Sequence, residues 1–322
     1  MISNLKLQLL LLMVIVAAVV GCPREPQPPL RIGTNVWPGY EPLYLARELG
    51  YVNKTSVKLV EYPSSSEVMR SFQNNTIDAA ALTLDETLQL LAAGSDIKVI
   101  LIMDISSGGD VILARPGIRS VKDLRNRRVG FESTALGAYV LTRALQLARM
   151  KPSDVKTVPL DLAEHEIDFR DGRVDAIVTF EPIRTRLLAA GARQIFDSSR
   201  IPGEIMDVLV VRSDFAKKYP EQVRNVMVSW FKALDYMSKN QRPAAEIMAM
   251  RERITAEEFL MAQKGLRYPE LKENHTMLAG ESPSVLASAQ RISAVMFENK
   301  LIDRAPDIRP ALDGAYLREL AP

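Results

Sequence analysis

Acidic, hydroxyl and aromatic side chains follow several short apolar runs that predict β-strands. In an open α/β sheet, ligands bind outside the carboxyl ends of the strands, where helix N-termini present free amide groups. We therefore expect a solute site built from the polar residues at these positions. After the early strands come Trp37, Tyr40, Ser64, Ser65, Ser66, Thr83, Asp85 and Asp110, and after the later ones Glu132, Ser133, Thr134 and Glu181.

The chemistry of this set favours binding of a nitrogen-containing solute. Several carboxylates and two aromatic rings repel a bare dianion such as sulfate, and they attract an ammonium group through charge pairing and cation–π contact. The hydroxyls of Ser65, Ser66, Ser133 and Thr134 would instead suit an anion. A zwitterion would use both sets, so amine, zwitterion and pyrimidine-like solutes all remain open.

Each candidate also has a purely structural interpretation. Trp37 can pack beneath its own loop, since tryptophan is mostly buried on average. A hydroxyl at Ser64 or Thr83 is explained by helix capping, because Glu67 and Glu86 follow three residues later. Asp85 and Glu86 also favour the positive end of a helix dipole. Among the acids, Glu181 is the first choice for a solute contact, followed by Asp85.

Catalysis, metal binding and cofactor binding are not predicted. The two histidines, His165 and His275, lack the paired spacing of a metal site and are expected at the surface. The sequence contains no G-x-S-x-G, phosphate-loop or G-x-G-x-x-G pattern. We predict no catalytic residue, no metal ligand and no cofactor, and expect a binding protein rather than an enzyme.

The N-terminus predicts export followed by lipid anchoring. Lys6 precedes an apolar run at 7–20, too short for a spanning helix, which ends in Val19-Val20-Gly21-Cys22. This ending resembles the lipobox of bacterial lipoproteins, which implies a signal peptide at 1–21 and a lipid on Cys22, the only cysteine. Residues 22–29 are proline-rich and predict a short stalk. We expect the protein at the extracytoplasmic face of a bacterial membrane, in the periplasm or at the cell surface.

Composition limits the other partners. The 322 residues carry 41 basic and 39 acidic side chains, so no basic surplus exists to neutralise nucleic-acid phosphates. One cysteine allows no internal disulfide. The length and the 47% hydrophobic content are enough for one large domain or for two lobes with separate cores.

The elements that position these residues alternate between strand and helix, which indicates an α/β fold. Two such sets are followed by a largely helical C-terminal region. We predict that residues 30–109 and 208–322 form lobe 1 and that residues 110–207 form lobe 2, with extended crossings near 110–114 and 207–211. Predicted strands lie near 30–34, 56–62, 79–82, 98–104, 128–131, 156–159, 176–179, 194–196 and 208–211.

A family resemblance rests on three stretches of sequence. They are RIGTNVWPGYEPLYLARELG at 31–50, IDAAALTLDE at 77–86 and VDAIVTFEP at 174–182. These stretches resemble solute-binding proteins of the nitrate, sulfonate, taurine and thiamine-precursor group of ABC importers. The resemblance implies a two-lobed fold of the periplasmic-binding-protein type II, with a βα sheet in each lobe, and a monomer that closes by hinge bending.

The resemblance also implies the function. A small solute would be trapped between the lobes and delivered to the permease and ATPase subunits of an ABC importer. Two alternatives stay open. The same fold resembles enzymes of pyrimidine-forming and menaquinone pathways, and a lipoprotein of this shape could serve as a sensor.

Overall fold

The computed structural model describes residues 27–132, 135–279, 282–318 and 320. Cys22 and the rest of the predicted signal and anchor region up to residue 26 lie outside the described residues, as do the predicted site residues Ser133 and Thr134. Within the described ranges, no helix is both long enough and apolar enough to cross a membrane.

The described residues form eleven strands in two sheets. In chain order the strands are β1 (Leu30–Thr34), β2 (Val57–Glu61), β3 (Ala79–Thr83), β4 (Ile97–Ser106), β5 (Val111–Ala114), β6 (Arg128–Glu132), β7 (Lys156–Leu160), β8 (Ala176–Thr179), β9 (Arg193–Asp197), β10 (Met206–Arg212) and β11 (Leu266–Arg267). The first sheet has the order β11-β4-β10-β3-β1-β2, and the second has the order β7-β6-β8-β5-β9.

Both sheets are mixed and share one arrangement. In the first, β1 pairs in parallel with β2 and β3, and β10 pairs antiparallel with β3 and β4. In the second, β6 pairs in parallel with β7 and β8, and β5 pairs antiparallel with β8 and β9. In each sheet one antiparallel strand thus lies next to a parallel set of three, and the first sheet also carries β11, which pairs antiparallel with β4.

Helices cover the sheets and fill the C-terminal region. They are α1 (Glu41–Glu48), α2 (Ser65–Gln73), α3 (Leu84–Ala92), α4 (Ala135–Leu147), α5 (His165–Arg170), α6 (Ile183–Ala189), α7 (Ser213–Lys218), α8 (Pro220–Lys239), α9 (Gln241–Glu252), α10 (Ala256–Gln263), α11 (Leu271–Leu278), α12 (Val285–Glu298) and α13 (Ala315–Arg318). On α8, Val223, Val226, Met227 and Trp230 form the buried face, as the helical period requires.

The predicted crossings are strands of the sheets and not free linkers. Val111–Ala114 is hydrogen-bonded on both sides within the second sheet, and Met206–Arg212 on both sides within the first. The chain instead passes between the sheets through residues 107–110 and 198–205. The lobe boundaries at 109/110 and 207/208 stay a proposal.

An equivalent arginine–aspartate ion pair joins the first ends of the parallel strands in each sheet. The Asp78 carboxylate accepts hydrogen bonds from the backbone N–H and the guanidinium of Arg31, at the first strand of one sheet. Asp175 does the same for Arg128 at the first strand of the other. The aspartates of the "D-A-A" and "V-D-A" stretches therefore join β3 to β1 and β8 to β6, far from the carboxyl ends of the strands.

Helix ends near the site follow the predicted capping chemistry in most respects. Thr83 and Glu86 form a reciprocal capping box at the start of α3. Ser64 Oγ accepts from the Glu67 N–H at the start of α2, but the Glu67 carboxylate pairs with Arg70 instead of completing the box. At the C-terminal side of α1, Gly50 has a φ of +72°, a left-handed conformation that suits glycine.

Candidate functional site

A small cavity lies between the two sheets, at the carboxyl ends of β1 and β3. Its volume is about 20 Å³, which is enough for about one water molecule. Both sheets contribute to its wall, so the site exists only because the chain brings distant segments together. The lining residues are Asn35, Trp37, Tyr40, Ser65, Thr83, Glu86, Asp110, Leu136, Phe180 and Asp207.

Trp37 is both a packing residue and a wall of the cavity. Its indole Nε1–H donates to Asp104 Oδ2 at 3.2 Å, and its ring meets the ring of Phe180 edge-on at 5.7 Å between centroids. A side chain at Gly39 would overlap the Asp104 carboxylate and the indole nitrogen. The Trp-Pro-Gly-Tyr turn therefore needs its glycine so that the indole can reach the β4 aspartate.

Tyr40 holds a second buried aspartate at the same place. Its hydroxyl donates to Asp207 Oδ1 at 2.5 Å, whereas Asp207 Oδ2 accepts no hydrogen bond from an N–H or hydroxyl group of the described residues, and its carboxyl group lies within hydrogen-bonding reach of Asp104. Asp207 and Asp104 are register partners in the antiparallel ladder between β10 and β4. Burial raises the pKa of the Asp104 carboxyl to about 7. Burial and the adjacent Asp104 raise the pKa of Asp207 well above its usual range.

The sequence interpretation missed Asp104 and Asp207. A signal for both was nevertheless present, because each acid interrupts an apolar run, Ile-Met-Asp104-Ile and Met-Asp207-Val. An ionisable side chain inside a buried strand is costly unless it has a partner or a function.

The start of α3 brings Glu86, and not Asp85, to the cavity wall. Glu86 Oε2 accepts from the Thr83 N–H at 3.0 Å, whereas Oε1 has no partner within hydrogen-bond distance in the described chain, and the neighbouring Ser65 hydroxyl opposes the rise in the pKa of the carboxyl. Burial, and then the neighbouring Asp85, raise the pKa of the Glu86 carboxyl to about 8. Asp85 is 1% exposed and does not line the cavity, and burial raises its pKa to about 6 against the opposing effect of Thr83 and the nearby backbone N–H groups. Glu86 is thus the residue of this pair that lines the cavity, whereas the sequence analysis had favoured Asp85.

Hydroxyls at the start of α2 connect the two halves of the molecule. Ser65 lines the cavity, and Ser66 Oγ donates to Glu132 Oε1 at 2.6 Å. Since Ser66 lies on α2 and Glu132 ends β6, this hydrogen bond joins a helix packed on the first sheet to a strand of the second. Burial raises the pKa of Glu132, although the bonds from Ser66 oppose the rise.

Asp110 occupies the segment that joins the sheets. Its backbone N–H donates to Ser106 Oγ, and its carbonyl oxygen accepts from the Ser198 N–H. Its Oδ2 is buried without a partner in the described part of the chain. Burial raises the pKa of Asp110 to about 7. The backbone bonds hold this carboxylate at the cavity, as predicted from its place between the strands.

Glu181 is committed to its own helix. Its carboxylate accepts from Arg184 at 2.7 Å and from the Thr185 N–H at 3.1 Å, and it is absent from the cavity wall. The adjacent Phe180 supplies the ring that faces Trp37. Glu181 was the first choice among the acids, but both of its oxygens already have partners, so we do not retain it as a solute contact.

His165 is buried, contrary to the surface position predicted for it. It is 1% exposed, and its Nδ1 lies 3.3 Å from Thr179 Oγ1 at the end of β8. Burial lowers the pKa of the imidazole to about 4, so the ring is neutral at physiological pH. The position was misjudged because α5 is short and its neighbours in sequence are polar. His275 is exposed, as expected.

A larger open groove lies away from the space between the sheets. It has a volume of about 980 Å³ and is lined by residues of α8, α10 and α11, with Met261 largely exposed. The buried polar atoms that lack partners in the described chain are not found in this groove, whereas Glu86, Asp110 and Asp207 all contribute such atoms to the small cavity. The small cavity is therefore the better candidate for specific recognition.

The chemistry of the cavity wall is acidic and aromatic. Its ionisable side chains other than Tyr40 are the acids Glu86, Asp110 and Asp207, and its ten members include no lysine or arginine. Among the described residues, no group of three or more metal-ligating side chains is arranged to hold a metal ion. Such a wall is suited to a cationic or strongly hydrogen-bond-donating group.

Known proteins share this architecture. The alkanesulfonate-binding protein SsuA from Xanthomonas axonopodis pv. citri, bound to MOPS, superposes with a TM-score of 0.76 at 18% identity, covering 88% of this chain and 98% of its own. The periplasmic nitrate-binding protein NrtA from Synechocystis PCC 6803 gives 0.74 at 12% identity, covering 90% and 87%. The chain therefore has the two-lobed α/β fold of the periplasmic binding proteins.

Sequence relatives agree with the structural neighbours. A protein from Escherichia coli (strain K12), provisionally named as an aliphatic sulfonates-binding protein, is 22% identical over 258 residues, which are 80% of this chain and 79% of the relative. A model of the NMT1-like family matches residues 23–251, more than half of the chain. On that match, the protein belongs to the NMT1-like family.

Proposed function

We propose that this protein is the extracytoplasmic solute-binding component of an ABC importer and that its solute carries a positively charged nitrogen. The observation that carries the proposal is the set of buried carboxylate oxygens without partners at the cavity, contributed by Glu86, Asp110 and Asp207. A buried acceptor without a donor costs free energy, and a solute N–H would remove that cost. The named relatives bind solutes, which supports the general role.

A preference for a cationic nitrogen would set this chain apart from the relatives named for binding sulfonates or nitrate. A sulfonate or nitrate in the cavity would face three acids and no basic lining residue. An ammonium group would form charge-assisted hydrogen bonds with the same acids and lie beside the rings of Trp37 and Tyr40. A zwitterion remains compatible if its anionic end lies near the hydroxyls of Ser65 and Ser66.

Capture would require movement of two lobes. We propose lobe 1 as residues 30–109 and 208–322, and lobe 2 as residues 110–207, with bending in the connecting segments. The structure has little free volume in the cavity, and the Ser66–Glu132 hydrogen bond links the lobes. Entry of a solute would break this bond and separate α3 from α4, which are in contact here.

Anchoring places the receptor beside its transporter. We propose cleavage after Gly21, a lipid on Cys22 and a proline-rich stalk at 22–29. The periplasmic location named for several relatives supports an extracytoplasmic position. A monomer held in this way would deliver its solute to the permease, and the ATPase subunits would drive uptake.

A solute screen tests the proposal. Melting temperature is measured with small amines, taurine and other zwitterions, pyrimidines, alkanesulfonates, nitrate and sulfate, and the solutes that stabilise the protein are then titrated by calorimetry. We expect stabilisation by solutes that carry a cationic nitrogen, because binding to the folded state raises its stability. Tighter binding of nitrate or of an alkanesulfonate without nitrogen would contradict the proposed charge.

Chemical conversion distinguishes a receptor from an enzyme of the same fold. Each solute that binds is incubated with the purified protein and recovered for analysis by mass spectrometry. We expect stoichiometric binding and unchanged solute. Turnover of any solute would replace the receptor function with an enzymatic one.

A further inference from the structure

A second, smaller cavity adjoins the first on the side of the second sheet. Its volume is about 10 Å³, and it shares the lining residues Asp110, Leu136 and Phe180 with the acidic cavity. The remaining wall includes Val140, Val178, Thr179 and His165. The two cavities are therefore neighbours that share part of one wall.

His165 lines the second cavity and carries a hydrogen-bonding atom that has no partner in the described chain. Its Nδ1 contacts Thr179 Oγ1, whereas its Nε2 is buried and has no partner among the described residues. A buried polar atom without a partner is uncommon in folded proteins and calls for an explanation. Because His165 opens α5 and Thr179 ends β8, a helix and the strand of the second sheet that it contacts hold the ring in place.

The surroundings of His165 favour an uncharged partner. Leu136, Val140 and Val178 make this end of the space mainly apolar. The nearby Glu132 Oε1 is occupied by Ser66, and Asp110 is shared with the acidic cavity. A neutral imidazole has one donor and one acceptor nitrogen, and it gains most from a group such as a hydroxyl, which can fill either role.

We propose that the second cavity is a subsite of the solute site, in which His165 Nε2 hydrogen-bonds an uncharged polar group at the end of the solute remote from its cationic nitrogen. The inference rests on the proposed function, because it assumes that a cationic nitrogen occupies the acidic cavity. It adds the requirement that the solute be asymmetric, with a charged head and a neutral polar tail.

Matched pairs of amines test the subsite. 3-Aminopropan-1-ol is compared with butylamine, and 2-aminoethanol with propylamine, since the members of each pair differ by a hydroxyl in place of a methyl group. We expect the protein to prefer the hydroxyl member by about five- to tenfold, the effect of one neutral hydrogen bond. In His165→Phe the preference should fall below about twofold, while affinity for the methyl member changes little. His275→Phe, which replaces the exposed histidine, should retain the preference.

A second measurement does not depend on the folding of His165→Phe. In His275→Phe, His165 is the only histidine, so its ring nitrogens are assigned directly in a ¹⁵N-histidine NMR spectrum. 3-Aminopropan-1-ol should shift the Nε2 signal, and butylamine should shift it much less. Amine binding without a hydroxyl preference, or without a selective Nε2 shift, would overturn the subsite alone. Failure of every amine to bind would overturn the proposed function and this inference together.

Discussion

Replacing Asp207 with asparagine should change solute binding and protein stability in opposite directions. Asp207 Oδ1 accepts from the Tyr40 hydroxyl, which an asparagine oxygen can also do, so the substitution keeps the shape of the site. What it removes is the ability of this carboxyl group to ionise when a cation binds, at an oxygen that accepts no N–H from the described chain. We have proposed that this oxygen receives a solute N–H group.

The loss of affinity follows from the strength of one hydrogen bond to a charged group. Such a bond contributes about 1.5–3 kcal/mol. At about 1.4 kcal/mol for each factor of ten, Asp207→Asn should weaken the binding of a cationic solute by about ten- to a hundredfold.

The effect on the solute-free protein has the opposite sign. Burial and Asp104 raise the pKa of Asp207, so the folded state binds this proton more tightly than the unfolded state. The stability that the carboxyl contributes is complete below its unfolded pKa of about 3.9 and is lost as the pH rises through the folded pKa. Asparagine avoids this loss. The variant should therefore gain about 0.5–2 kcal/mol in free energy of unfolding at about pH 8, and the gain should shrink towards acidic pH.

Two assays and one control decide the outcome. Urea unfolding gives stability, and calorimetric titration with 3-aminopropan-1-ol gives affinity. Asp78→Asn is the control, because Asp78 precedes β3 and pairs with Arg31 at the opposite end of that strand from the cavity. The control should lower stability and leave affinity unchanged. Unchanged amine affinity in a folded Asp207→Asn protein would refute the role of this carboxyl group in solute binding. A loss of stability at about pH 8 would refute the argument that ionisation of the buried Asp207 destabilises the folded state.

Three further predictions concern acidity, lobe packing and location. Amine affinity should rise between about pH 5.5 and about pH 8, because a cation displaces protons from acids such as Glu86, whose pKa is raised to about 8; calorimetry in two buffers that finds no proton release would contradict this. Tyr139→Phe removes the 2.6 Å bond to Glu204 and should lower the free energy of unfolding by about 1 kcal/mol, measured with urea; an unchanged midpoint would count against the bond. Cys22→Ser should move the expressed protein from the detergent phase to the aqueous phase in a partition assay, and retention in detergent would exclude this anchor.

Several site residues were predictable because their positions depend on local sequence. Trp37 and Tyr40 follow β1, and Thr83 caps α3, as predicted from strand ends and capping patterns. Ser65 and Asp110 also line the cavity. These residues lie within a few positions of a strand end, and the end of a strand fixes where the following residues must lie.

Other site residues depend on contacts between distant parts of the chain. Asp104 and Asp207 lie opposite each other only because β10 inserts between β3 and β4 in one particular register. The choice of Glu86 over Asp85 depends on the rotation of α3 about its axis, which neighbouring elements set. Glu181 was predicted to line the site, but its carboxylate oxygens accept hydrogen bonds from Arg184 and the Thr185 N–H instead.

The sequence by itself determined the α/β class, most element boundaries and the family resemblance, because periodicity, caps and strand-end motifs are local properties of the chain. Tertiary structure alone decided which acids share the cavity, that His165 is buried beside it, and that β5 and β10 complete the two sheets. Burial and long-range strand register involve residues more than about a hundred positions apart, as for Asp104 and Asp207. The charge and pKa of the site therefore follow from how the whole chain packs.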